Sequence, residues 1–153
     1  MKEKITEAVK ESNSLAQVRE SLFDVFREYR LTGHTRIGYV SGAITADGRE
    51  NIPKNIARLI KFTEHLRTRQ EFPLFSATDV FDDELFKRLD AAGFVNADWE
   101  IFWREVLGAK ERFVTDMFMT PRWEKSNGAT DEYRIAQEVG MTIVYIGKEL
   151  DNL

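Results

Sequence analysis

Four short apolar runs, separated by longer amphipathic stretches, limit what this chain can fold into. The runs are RIGYVSG (36–42), FPLFSA (72–77), RFVTDMFM (112–119) and MTIVYIG (141–147). Each is of strand length, and the last is a continuous β-branched run of the kind expected for a buried parallel strand. Between the first two lies IPKNIARLIKFTEHLRT (52–68), with Ile56, Leu59, Ile60, Thr63 and Leu66 at helical spacing and Pro53 tolerated in the first turn. DDELFKRLDAAG (82–93) reads as a helix closed by Gly93, and ADWEIFWREVLGAKE (97–111) as a helix with aromatics on one side. A last helix carries Ala129, Tyr133, Ala136 and Gly140 on one face. Strands alternating with helices predict an α/β domain whose mostly parallel sheet of four to five strands is covered by helices on both sides.

Residues 1–33 stand before this pattern as a helical extension of the domain at 34–153. The stripe Ile5, Val9, Val18, Leu22, Val25 and Phe26 needs a covering surface, either the helices of the sheet or a second subunit. ESNS either interrupts the helix or caps a second one at Ser14.

Composition excludes several functions. A net charge of −4 and a pI near 5.3 argue against duplex binding, so no nucleic-acid partner is expected. Without cysteine there is no disulfide, thiol nucleophile or thiolate metal site. His34 and His65 are isolated and read as surface residues, and Asp79, Asp82, Asp83 and Glu84 read as a solvated helix start. No metal and no cofactor are expected. The start, MKEKITEAVKESN, is too charged for a signal peptide, and no apolar run approaches membrane length. The expectation is a cytoplasmic protein with no membrane partner.

In open parallel sheets, ligands bind beyond the carboxyl ends of the strands. Two loops leave strand ends with small residues: SGAITADGREN after the first strand and TPRWEKSNGATDE after the third. If the sheet forms, they face each other across one cleft. In the second loop, Ser126, Asn127, Gly128 and Ala129 lie just before or at a helix start, where free amides and the helix dipole hold an anion. Ordinary capping by Ser126 or Thr130 explains the same residues. In the first loop, Gly42, Ala43, Gly48 and Arg49 form either a phosphate cradle or a plain turn. Glu132 falls on the inward stripe of the last helix, in what reads as its first turn, where the dipole keeps it ionised. It either has a task in the cleft, or pairs with Arg49, Arg122 or Lys125, or faces solvent.

YVSGAI…GRENI…NI, followed by TDMFMTPRWEKSNGATDEYRIAQEVGMTIVYI, resembles the nucleoside 2-deoxyribosyltransferase superfamily over about residues 36–147. The Ser-x-Gly-x-x-x-Glu spacing is closest to the 2′-deoxynucleoside 5′-phosphate N-hydrolase-like and phage-associated branch. The resemblance implies a Rossmann-like (flavodoxin-like) three-layer fold and cleavage of an N-glycosidic bond in a nucleotide or nucleoside. It implies Glu132 as nucleophile. Tyr39, Gly42, Ala43 and Ile44 fall on the sugar and phosphate side, joined by Arg49, and Ser126, Asn127 and Gly128 hold the phosphate. The family's second acid falls near Glu105, with Asp98 further back, and Asp116 matches its architectural strand aspartate. Relatives build sites across subunits, which implies a homodimer or higher homo-oligomer. The long amino-terminal extension and the early end after the last strand depart from the family. Two other readings accompany this one: a nucleotide-binding or sensing module without catalysis, and a phosphoribohydrolase of the cytokinin-activating type, whose paired glycines are replaced here by RWEKSNG.

Overall fold

The computed structural model describes residues 1–147. The chain forms α1 (Lys2–Val9), α2 (Leu15–Leu31), β1 (Gly38–Ser41), α3 (Ile52–Arg67), β2 (Leu74–Ser76), α4 (Ala77–Val80), α5 (Asp83–Ala91), α6 (Asn96–Leu107), β3 (Asp116–Met119), α7 (Asn127–Val139) and β4 (Thr142–Tyr145). Short 3-10 turns at Arg49–Asn51 and Trp123–Lys125 precede α3 and α7. The strands form one parallel sheet in the order β2-β1-β3-β4. This is a Rossmann-like three-layer α/β fold. No helix among the described residues is long and apolar enough to cross a membrane.

The two-residue strand period divides the core. Tyr39, Phe75, Met117 and Met119 point to one face, where α2, α6 and α7 cover them. Val40, Leu74 and Phe118 point to the other, under Leu59, Phe62 and Leu66 of α3. The amino-terminal segment is two helices. Ser14 caps the second, its Oγ accepting from the Gln17 amide at 3.2 Å. Ile5, Val9, Val18, Leu22, Val25 and Phe26 share one apolar cluster with the sheet, so the sheet and its helices supply the covering surface.

Two expectations are corrected. β4 is an edge strand with both its end residues exposed, because among the described residues its only strand neighbour is β3. Its β-branched run reflects partial packing on both faces, Ile143 against the cluster under α6 and α7 and Val144 against the cluster under α3, and not full burial. Asp79 does not belong to a solvated helix start. It is buried and ion-paired with Arg67 of α3 while accepting from the Ser76 amide at 3.0 Å. Asp82 does cap α5, accepting from the Leu85 amide at 2.8 Å.

The connection from β1 leads away to β2, and that from β3 leads away to β4. The sheet therefore has its topological switch between β1 and β3, and both loops that leave those strands start there.

Candidate active site

Strand alternation turns the side chains of Tyr39 and Ser41 to the same face at the carboxyl end of β1. Both reach Glu132 of α7. The Tyr39 hydroxyl donates to Oε2 at 2.6 Å and the Ser41 hydroxyl donates to Oε1 at 2.9 Å. Glu132 is only 8% exposed. The Tyr39 ring is fixed against Phe75 and Trp103, at centroid distances of 5.2 and 5.1 Å. Both carboxylate oxygens thus have a donor that is itself held by the sheet.

This differs from the expected environment of Glu132. Helix α7 begins at Asn127, because Ser126 is its cap, so Glu132 lies in the second turn, beyond the strongest dipole field. Burial raises its carboxyl from the ordinary 4.5 to about 7, with the Tyr39 and Ser41 hydrogen bonds holding it down and Asp131 adding a smaller upward push. Burial, and then the neighbouring Glu132, push the Tyr39 phenol well above its usual range, so it remains a donor at neutral pH. Among the described residues Glu132 forms no ion pair with Arg49, Arg122 or Lys125.

The two loops do meet. Ser41 carries a hydroxyl that touches Glu132 and a carbonyl that accepts from the Thr120 amide at 3.1 Å and the Thr120 hydroxyl at 2.8 Å. Gly42 follows. A Cβ there would sit 2.6 Å from Thr120 Oγ1 and 3.1 Å from Leu59 Cδ1, so only glycine lets the loop and strand approach this closely. Beyond them opens a small cleft. Gly42, Ala43 and Asp47 line it from the first loop, Arg122 and Lys125 from the second, and Leu59 and Phe62 of α3 form its apolar wall. The Ile44 carbonyl and Asp47 Oδ1 both accept from Asn55 Nδ2, at 2.9 and 2.7 Å, which ties the first loop to α3.

Other candidate residues sit elsewhere or do other work. Arg49 is exposed on the short turn before α3 and does not line the cleft. The Ser126 hydroxyl accepts from the Ala129 amide at 3.2 Å, the capping role weighed for it, while Asn127 and Gly128 stay exposed. Glu105 pairs with Arg19 of α2, outside the site, because Phe102, Val106 and Leu107 take the inward face of α6. Asp98 caps the start of α6, accepting from the Val95 amide at 2.8 Å. Asp116 lies at the opposite edge of the sheet, bound to Arg36 at 2.7 Å. Trp99 and Phe102 pack around Phe81 at 4.7 and 5.2 Å, so the α6 aromatics are mainly core. The residue that sequence reasoning left unassigned is Ser41. Its signal was its place two residues after Tyr39 on a strand.

A family model described as a domain of unknown function (DUF4406) matches residues 103–145. The matched stretch runs from the second half of α6 through β3 and α7 to β4, so it contains Ser126, Gly128 and Glu132 but neither Tyr39 nor Ser41. No curated protein and no solved structure shows a match to the chain.

Proposed function

We propose that the chain cleaves the N-glycosidic bond of a (deoxy)nucleoside 5′-monophosphate, as a hydrolase or a deoxyribosyltransferase, with Glu132 as nucleophile. The observation that carries this reading is the buried Glu132 carboxylate at the switch point, with each oxygen held by a hydroxyl of β1. The resemblance of the Ser126–Glu132 spacing to nucleoside 2-deoxyribosyltransferases supports it. A fixed carboxylate beside a cleft suits attack on an anomeric carbon, which passes through an oxocarbenium-like state. In the first step, a Glu132 oxygen bonds to the anomeric carbon as the bond to the base breaks, and the base leaves with the bonding electron pair and takes up a proton from solvent. In the second, water or another base displaces the carboxylate and restores it. Held geometry of this kind supplies on the order of 7 kcal/mol of a barrier in favourable cases.

The test is free-base release from ribo- and deoxyribonucleoside monophosphates, followed by chromatography with and without an acceptor base. Glu132→Gln keeps the shape and removes the charge. It is expected to retain binding and lose turnover by roughly three orders of magnitude or more. A Gln variant as fast as the parent removes Glu132 from the role. One observation favours a second reading, nucleotide binding without turnover: neither Glu105 nor Asp98 reaches the site. A parent that releases no base from any substrate puts that reading first.

A further inference from the structure

The cleft on the α3 side of the switch point is lined by three basic side chains, Arg58, Arg122 and Lys125, and one acid, Asp47. The acid is engaged, its Oδ1 held by Asn55. Among the described residues Arg122 and Lys125 make no ion pair and no side-chain hydrogen bond. This excess of positive charge lies in a chain whose net charge is −4, beside the apolar wall of Leu59 and Phe62. Arg122 has a left-handed backbone, with φ 67° and ψ 20°. A residue with a Cβ pays about 1–2 kcal/mol for that conformation, and glycine or asparagine would make the turn more cheaply. The turn therefore does not explain the arginine. The start of α7, by contrast, already uses the Ser126 hydroxyl as its own cap.

We propose that this cleft is an anion subsite for a phosphomonoester, read by Arg122 and Lys125 and not by the start of α7. The ligand charge fits, since a phosphomonoester carries about −1.5 to −2 near neutral pH. The position fits too. Ser41 touches Glu132 while the next residue, Gly42, lines the cleft, and neighbouring Cα atoms lie about 3.8 Å apart. The cleft therefore begins one residue along the chain from the hydroxyl that holds Glu132. The inference rests on the proposed nucleotide substrate for its purpose, while its test reads binding alone.

Calorimetry on the full chain compares inorganic phosphate, a nucleoside 5′-monophosphate and the corresponding nucleoside. The parent is expected to bind the monophosphate about tenfold or more tightly than the nucleoside, the scale of one charge-assisted contact. Arg122→Gly, which relaxes the backbone, and Lys125→Gln should each weaken phosphate and monophosphate by about tenfold. The double variant should erase the preference, and Ser126→Ala should leave it within about twofold. The proposal is overturned if the parent does not prefer the monophosphate. It is equally overturned if the double variant keeps the preference, or if Ser126→Ala alone erases it. A parent that releases no base yet shows cation-dependent phosphate binding removes the glycosidase reading and keeps the subsite. Base release indifferent to Arg122 and Lys125 does the reverse.

Discussion

At the scale of single residues, the proposed chemistry turns on how Glu132 is ionised. Its carboxyl sits near 7 because burial opposes the charge while two hydroxyls favour it. A nucleophile must be ionised, so turnover should rise with pH through about 7. Ser41→Ala removes one of the donors that lower this value. The carboxyl should then move further up, by roughly 1–2 pH units, given the 1.5–3 kcal/mol typical of a hydrogen bond to a charged group. The expected result is about a tenfold loss of base release at pH 7, recovered as the pH approaches 9. Tyr39→Phe should shift the profile in the same direction. A loss equal at every pH would mean that these hydroxyls only support the fold. From sequence, Glu132 was legible because the α7 stripe has a helical period that turns it inward. Its partners were only half legible: Tyr39 came from resemblance, and Ser41, two residues further along the same strand, shares its face, but that this face meets α7 is decided by tertiary packing.

At the scale of elements, the site depends on two strand ends meeting at contact distance. β1 ends in Ser41-Gly42 and β3 ends beside Thr120, with the Ser41 carbonyl bridging them. Gly42→Ala places a methyl 2.6 Å from Thr120 Oγ1. It should cost about 1–3 kcal/mol, read as a lower denaturation midpoint. In a Thr120→Ala background the same substitution should cost less, since its nearest obstruction is gone. Additive losses in this double-mutant cycle would count against the contact. The strand and helix alternation was legible because each element carries its own period. The edge position of β4 was not, because a β-branched run reads alike whether its strand has one neighbour or two. The roles of Glu105 and Asp98 were hidden for a related reason: which side of α6 faces inward is decided by packing against α2 and α7.

At the scale of the whole molecule, α1 and α2 form part of the core. Phe26 packs on Phe75 of β2 and on Phe113, at centroid distances of 5.3 and 5.6 Å. Arg88 of α5 donates to the carbonyls of Lys10 and Ser12. Removing residues 1–30 should uncover the part of one sheet face that α2 packs on, abolish cooperative melting and expose dye-binding apolar surface. A truncated protein with the parent's melting temperature and mass would refute this. The amphipathic stripe announced that these helices needed cover, but it could not say which surface would give it. One feature of the site also governs how the molecule assembles. The two hydrogen bonds on Glu132 join residues 93 and 91 positions apart. Closing so long a chain segment costs entropy before any contact rewards it, so high contact order slows folding. No nascent fragment that stops short of α7 can present the carboxylate to β1. The proposed base release would then appear during refolding only with the slowest phase, and would report completion of the chain's topology as much as its chemistry.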